Sequence, residues 1–515
     1  FSGRRLIVSS AVDTASPKSE PDDKVPPVVP AVVPAETIET VETVDVKALN
    51  TRAPGALYKK REKIFPRRVY GTFRNVKWAA MTVALIVYYW TPWLRWDRGP
   101  GAPDQAVLID IPGRRFYFFF IEIWPQEIYY ITGILVIAAL ALFLLTAVAG
   151  RVWCGYACPQ TVWVDLFLVI ERFIEGDRNA RIRLDKAPWT LAKLAKRVSK
   201  HSVWLAVAVL TGGAWVFYFA DAPTLFIDLV TFQADEIAYT TVAVLTAATY
   251  TLGGLAREQV CTYMCPWPRI QSAMIDEESL IVSYQNQRGE PRGKGGKREG
   301  LGDCISCNQC VVVCPMGIDI RDGMQLECIS CALCVDACNG VMAKIGKPLN
   351  LIGYNTLASY NQGEELQRKD LHLLRPRTIL YAVLIAIVGV IMLVALLTRP
   401  TLELNVQRDR NPLFVLLSNG DIRNGYTIKI LNKVHQTRQY RLDVEGLPAV
   451  KIKVIGRDDG NARFTVKADR LASFRVLIAT PRANLKAGTT DVRFRLTDLT
   501  DKTVADNDTV FRGPK

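Results

Sequence analysis

The chain alternates long apolar runs with strongly basic loops, then changes period near its end. Apolar runs of about twenty residues, the length that crosses a hydrocarbon core of roughly 30 Å, lie at Val76–Leu94, Ile128–Gly150, Val203–Ala220, Ile237–Leu255 and Ile379–Leu397. They predict five transmembrane helices. Trp and Tyr gather at their ends, as in Tyr88-Tyr89-Trp90, Tyr129-Tyr130 and Trp204, which suits an interfacial belt and requires no chemistry. A further apolar stretch, Val162–Ile174, is interrupted by Asp165, Glu171 and Arg172 and reads as an interfacial amphipathic helix. After Pro400 apolar and polar positions alternate, beginning at Tyr426, Val450, Arg463 and Val492, with Gly, Asn and Asp turns between. About seven short strands in roughly 115 residues predict an all-β immunoglobulin-like sandwich. It has no Cys for an inter-sheet disulfide, and it reads as a binding or bracing module.

Charge orients the helices. The 515 residues carry a formal +14, a balance that suits nucleic acid, an anionic membrane surface or an acidic partner. Lys and Arg sit beside the apolar runs on alternate sides and form no stripe with interleaved aromatics, so nucleic acid is excluded as the partner. The approach to the first run holds Lys59, Lys60, Arg61, Lys63, Arg67, Arg68, Arg74 and Lys77, whereas 221–236 has neither Lys nor Arg. That loop belongs outside. The basic segments 151–200 and 257–377 belong inside, and an odd number of spans places the C-terminal sandwich in the periplasm. The Pro-rich first fifty residues hold few large apolar groups and read as a disordered cytoplasmic tail. No removable signal peptide is apparent, so the N-terminus is expected inside.

All twelve Cys fall between Cys154 and Cys338. Thiols grouped in this way imply a reducing compartment and metal chemistry. Cys304-Ile-Ser-Cys307-Asn-Gln-Cys310-Val-Val-Val-Cys314-Pro315 has the bacterial ferredoxin spacing. Cys328, Cys331, Cys334 and Cys338 repeat it, with Asn339 where Pro is usual. In such a unit three close thiolates hold one 4Fe-4S cube and the fourth reaches across to the other. Cys304, Cys307, Cys310 and Cys338 are therefore expected to hold one cluster, and Cys328, Cys331, Cys334 and Cys314 the other. Zinc ribbons pair separated CxxC units instead. The basic, glycine-rich run from Arg288 to Arg298 reads as a solvated linker, with docking of an acidic electron donor as the alternative.

A second repeat lies at the membrane edge. Cys154-Gly-Tyr-Ala-Cys158-Pro159 follows the second run and Cys261-Thr-Tyr-Met-Cys265-Pro266 the fourth, with Arg151 and Arg257 ahead of them. In a continuing helix the i, i+4 spacing places both sulfurs on one face, and two such pairs brought together make a four-thiol site. Thiolate favours Cu(I), so copper, a third cluster and a dithiol relay all remain open. Haem is disfavoured, since the only histidines are His201, His372 and His435 and no span offers two facing imidazoles; each reads as structural or solvent-exposed.

These two CxxxCP motifs, the Cys304–Cys338 unit with its Cys310-Val-Val-Val-Cys314-Pro-Met-Gly-Ile-Asp segment, and the immunoglobulin-like tail resemble the FixG/RdxA/CcoG family of accessory proteins for cbb3-type cytochrome c oxidase, from Tyr58 to the C-terminus. The resemblance implies a multi-pass protein of the bacterial inner membrane. It implies a cupric reductase, an oxidoreductase that supplies Cu(I) for oxidase assembly, with Cys154, Cys158, Cys261 and Cys265 handling copper and the clusters feeding them electrons. The implied partners are the lipid bilayer, a cytoplasmic electron donor, a copper chaperone or pump, oxidase assembly factors and, by self-association, another copy of the chain. The rivals are a quinol-linked NapH-like electron-transfer protein and an assembly scaffold with redox-sensing clusters. The expected domains are a tail (1–57), a four-helix membrane domain (58–285), a cytoplasmic 2×4Fe-4S ferredoxin domain (286–377), a fifth helix (378–398) and the periplasmic domain (399–515).

Overall fold

The computed structural model describes residues 42–46, 63–99, 102–294, 299–362, 372–456, 462–485 and 488–514. The expected tail lies outside them except for 42–46, as does part of the glycine-rich run. Each long apolar run is helical: α1 (Thr72–Trp90), α2 (Tyr129–Ala149), α4 (Leu191–Val216), α5 (Glu236–Thr249, continued by a π-helix at Tyr250–Leu255) and α7 (Pro376–Leu397). Among the described residues two helices are long and apolar enough to cross a membrane, Pro125–Ala149 and Pro376–Leu397, with mean hydropathies of 2.7 and 3.1. The other three fall short for local reasons. α1 opens on Arg74 and Lys77, the first turns of α4 carry Lys193, Lys196, Arg197 and Lys200, and α5 has 14 residues before its π-helical continuation.

The stretch read as an interfacial helix is α3 (Pro159–Glu175), and its acidic side faces into the protein. Asp165 pairs with Arg74 at 2.9 Å, and Glu171 with Arg181, Arg257 and Lys200 at 2.8, 2.9 and 3.7 Å. Phe173, by contrast, is 90% exposed. A buried carboxylate is tolerated only with cations to meet it, and four other segments supply them here.

The segment between α1 and α2 folds as a small antiparallel sheet of β1 (Val107–Asp110), β2 (Arg115–Phe118) and β3 (Ile121–Ile123). The cysteine-rich domain is bracketed by the antiparallel pair β4 (Leu280–Tyr284) and β5 (Ile352–Thr356). Its long helix is α6 (Leu333–Lys344). Asp336 of α6 accepts from the backbone N–H groups of Phe73 and Arg74 at 3.2 and 2.7 Å. It thus caps α1, satisfying donors that the first turn of a helix leaves free. Residues 42–46, expected to belong to the tail, lie along the same domain: Val44 donates to the Cys307 carbonyl at 3.1 Å, and Glu42 pairs with Arg67 at 2.8 Å.

The C-terminal sandwich has nine strands among the described residues: β6 (Leu402–Arg408), β7 (Val415–Leu416), β8 (Asp421–Asn432), β9 (Arg438–Glu445), β10 (Lys451–Val454), β11 (Arg463–Val466), β12 (Arg470–Pro481), β13 (Thr489–Asp498) and β14 (Val504–Arg512). One sheet runs β10-β12-β8-β6 with β7 on β8, the other β11-β9-β13-β14. Period-two alternation turns Ile422, Tyr426, Ile428, Ile430, Val476, Phe494 and Phe511 into one core, as sheet-on-sheet packing requires. The sandwich meets the segment between α1 and α2: Lys433 pairs with Glu127 at 2.7 Å, and Arg115 donates to the Asp469 carbonyl.

Candidate functional site

The two cysteine runs fold as a structural repeat. Ser306 and Asn308 have φ of 52° and 57°, and Ser330 and Ala332, at the matching positions, 52° and 56°. Left-handed backbone at four non-glycine residues is held only by its surroundings. Here it curls each CxxC loop so that its sulfurs converge. The repeat breaks at its end: Pro315 stops the first helix (Gln309–Val313), while with Asn339 in place of Pro the helix runs through Cys338 to Lys344. Asn339 instead accepts from the Asn350 N–H at 2.7 Å.

The fourth cysteine of each run lies with the other run. Cys338 neighbours Cys304 and Cys307, and Cys314 neighbours Cys331 and Cys328. A cavity is lined by Cys314, Cys328, Cys331 and Cys334 with Cys310, Ile318 and Ile320. Four thiols around an apolar cavity fit the donor set of a 4Fe-4S cluster. Burial pushes the Cys314 and Cys338 thiols up to about 12 and raises Cys310 and Cys334 well above the usual thiol value; burial thus favours the protonated thiols, whose protons a bound metal group displaces.

The structure also gathers the four CxxxCP cysteines. Cys154 lies near Cys158 and Cys265, and Cys261 near Cys158, Cys154 and Cys265. Burial, with a further push from the neighbouring thiols, raises Cys154 to about 11 and Cys261 to about 12. The expected continuous helix is absent, however. In the first motif the helix Val152–Tyr156 ends, Cys158 is extended (φ −59°, ψ 128°), and Pro159 starts α3. In the second a π-helix (Val260–Met264) ends, Cys265 is extended (φ −80°, ψ 122°), and a new helix spans Trp267–Met274. A proline excludes α geometry from the residue before it, so the motif is helix, corner, helix.

The arginines ahead of the motifs diverge. Arg257 joins Glu171 at 2.9 Å, whereas Arg151, 4% exposed, hydrogen bonds to the Cys154 thiol and donates to the Leu326 carbonyl. The first motif touches the second CxxC loop directly, Tyr156 donating to the Cys331 carbonyl at 3.1 Å, and Tyr354 of β5 donates to the Ser330 carbonyl of the same loop at 2.7 Å. The Cys154 thiol donates to Gln271 Oε1 at 3.0 Å. Sequence pattern does not single out Gln271 or Tyr354, since lone polar residues in mixed segments carry no spacing signal. The histidines lie apart from the thiols: His201 bonds Tyr250 at 2.8 Å, His372 meets Glu278 at 3.0 Å, and His435 meets Asp469 at 2.6 Å. In the basic run Arg288 pairs with Asp303 at 3.0 Å and donates to the Pro348 and Leu349 carbonyls, so it is fixed to the domain.

Three family models match the chain: a 4Fe-4S dicluster domain over 256–357, a 4Fe-4S binding domain over 131–175, and the IG-like fold at the C-terminus of FixG over 392–514. Nitrogen fixation protein FixG of Rhizobium meliloti is 54% identical, with 87% of this chain and 92% of that protein covered. Protein RdxA of Cereibacter sphaeroides is 53% identical, with 86% and 95% covered. A solved FixG-related protein from Vibrio parahaemolyticus matches 22% of this chain and 96% of its own at 25% identity and a TM-score of 0.20. With a dicluster unit, an IG-like C-terminal domain and more than half of its aligned residues shared with FixG, the chain belongs to the FixG/RdxA family and is an iron-sulfur electron-transfer protein.

Proposed function

We propose that this is a multi-pass membrane protein that passes single electrons from a cytoplasmic donor, by way of its two clusters and the four CxxxCP thiols, to Cu(II), and so supplies Cu(I) for assembly of a cbb3-type oxidase. One-electron storage is what the clusters contribute. The chain's residues do the rest. Cys304, Cys307, Cys310 and Cys338 hold one cluster and Cys314, Cys328, Cys331 and Cys334 the other, while Val282, Ile318 and Ile320 keep water away. The observation that carries the reading is the direct contact between the first CxxxCP turn and the Cys328–Cys331 loop, where Tyr156 donates to the Cys331 carbonyl at 3.1 Å.

Two features support the membrane topology. The contacts of the cysteine-rich domain reach segments whose charge places them inside (Glu42, Arg67, Arg74, Arg151), and those of the sandwich reach Arg115 and Glu127, placed outside. The outer faces of α1, α4 and α5 expose Val83, Ile86, Leu205, Leu210, Ile237 and Val244, apolar groups that suit lipid.

The test is reoxidation of the anaerobically purified, reduced protein. Cu(II) is expected to bleach the reduced-cluster signal with stoichiometric formation of Cu(I), and a quinone is not. Replacing Cys154 and Cys265 together by Ser is expected to abolish copper reduction with the dicluster signal intact. Reoxidation by quinone alone would transfer the assignment to the quinol-linked class.

A further inference from the structure

We propose that Glu122, His435 and Asp469 form a binding site for a single Zn(II) ion, which ties the C-terminal sandwich to the small β1–β3 sheet. The site lies apart from the cysteines and does not rest on the copper reading.

Geometry is the first support. Each of the three residues offers one ligand atom, and these atoms lie within 4.8 Å of one another. Zinc bonds of about 2.0–2.2 Å hold tetrahedral ligand atoms about 3.4 Å apart, so closing the trio on an ion asks for shifts of about an ångström. Two of the ligands are placed by the sandwich itself. Asn432, fully buried, donates to the carbonyls of Gln436 and Lys467 at 2.8 and 3.1 Å, and so joins the turn that carries His435 to the one that leads to Asp469. Asp469 completes the link by donating its N–H to the Val434 carbonyl at 3.3 Å. Glu122 arrives from the other body. It is the middle residue of β3, and Arg115 of β2 holds its Oε1 at 2.9 Å.

Unmet charge is the second. Glu122 and Asp469 are 6% and 9% exposed, and carboxylates this close and this dry repel one another. Asp469 Oδ1 is buried with no hydrogen-bond partner among the described residues, a state that costs free energy unless something meets it. Arg115 does not meet it, for its bonds go to Tyr117, to Glu122 and to the main-chain carbonyl of Asp469. A proton on His435 meets it only in part, since the imidazole bonds Asp469 Oδ2, at 2.6 Å. An ion in the place of the Nδ1 proton reaches all three residues. The neutral imidazole then keeps its one proton on Nε2.

The donor set selects the metal. One imidazole with two carboxylates suits zinc, with a water as fourth ligand, whereas Ca(II) and Mg(II) take oxygen ligands. His435 is exposed, which gives the ion a way in and leaves room for that water. Bound there, zinc adds a third tie between the two bodies, beside the Arg115–Asp469 and Lys433–Glu127 contacts.

The test uses the full-length protein in detergent, treated with EDTA and then equilibrated with buffered Zn(II). The cysteines also take zinc, so the readout is the difference between unsubstituted protein and His435→Gln. The variant is expected to hold about one zinc fewer per chain, with iron content unchanged, and Glu122→Gln is expected to match it. Zn(II) is also expected to slow proteolysis of the 398–401 connection at least about tenfold in the unsubstituted protein, and to have no such effect in His435→Gln. Equal zinc in the two proteins overturns the proposal. So does equal protection by Mg(II) or Ca(II), which marks the trio as an unspecific acidic patch. Absence of protection by Zn(II) in the unsubstituted protein overturns it too, whether or not the variants fold.

Discussion

Replacing Gly155 by alanine probes the junction through which the electron path is drawn. A Cβ at this position would lie 2.7 Å from the Ile329 carbonyl oxygen and 3.0 and 3.1 Å from Cys331 Cα and N. All three are backbone atoms of the second CxxC loop, so no side chain can swing aside. Ordinary contact begins near 3.4 Å, and the first motif has to retreat by several tenths of an ångström. Overpacking of this kind costs about 1–3 kcal/mol. The helix-propensity gain of roughly 1 kcal/mol on exchanging Gly for Ala opposes it. Gly340 separates the two terms: it lies within α6, and a Cβ there meets nothing within 4 Å. Since the propensity gain appears in both variants, Gly155→Ala is expected to be less stable than Gly340→Ala by about 1–3 kcal/mol. The assay is denaturant unfolding of the purified protein in detergent, followed by visible absorbance of the clusters and by tryptophan fluorescence. Reoxidation by Cu(II) should also slow in Gly155→Ala, because the bond from Tyr156 to the Cys331 carbonyl lengthens. Equal stability and equal reoxidation rates for the two variants would refute the close approach.

Glu171→Gln leaves Arg181, Arg257 and Lys200 without their shared carboxylate, and loss of about 3–5 kcal/mol is expected in denaturant unfolding. Burial alone would raise the Asp165 and Glu171 pKa values, yet Lys77 and Arg74, and Arg257 and Arg181, hold them below the usual carboxylate range. Their stabilisation is therefore full above the unfolded value of about 4 and is lost as pH falls further, through the folded values. A stability profile taken from pH 7 downwards should be flat to about pH 5 and then drop, and an equal drop in Glu171→Gln would show that Glu171 is not one of the groups responsible. Lys433→Met leaves Glu127, 3% exposed, with the 3.5 Å contact to Arg399 as its remaining ion pair among the described residues, beside the Trp124 N–H at 3.1 Å. Faster proteolysis near Thr398–Thr401 is expected, with the iron content unchanged.

The sequence stated some levels of this molecule openly. Thiol spacing carries its own meaning because a cube fixes which residues must converge, and the alternation after Pro400 names an inward face with no help from neighbours. The apolar runs marked where five helices lie but not their limits: α4 begins at Leu191, ahead of the run at Val203, and ends at Val216. What hid was whatever depends on a distant partner. Asp165 and Glu171 look like a solvated face until Arg74, Lys200 and Arg257 arrive from other helices. Val44 sits in a stretch too polar to predict order, yet it bonds the Cys307 carbonyl. The small sheet of β1–β3 lies between helices, in a segment with only weak alternation. At the CxxxCP motifs the i, i+4 argument named four cysteines that the structure does bring near one another, but by another route: Pro159 and Pro266 remove the second cysteine from the helix, and the gathering comes from how α2, α3 and α5 are placed.

The cysteine-rich domain is built into the helical part of the protein rather than tethered beside it. Asp336 lies in α6 between Cys334 and Cys338, and its carboxylate caps α1 through Phe73 and Arg74. A Cβ on Gly71 would fall 2.3 Å from its Cγ, so the approach there also excludes a side chain. On the other side Arg151 reaches the Leu326 carbonyl and Tyr156 that of Cys331. These contacts come from opposite ends of the cluster-bearing loops and leave little freedom for the domain to rock. A mobile carrier needs the opposite arrangement, since it must leave one partner to reach the next. The fixed docking therefore argues that electrons travel through this chain along one built route, and that exchange with donor and acceptor takes place at its two ends.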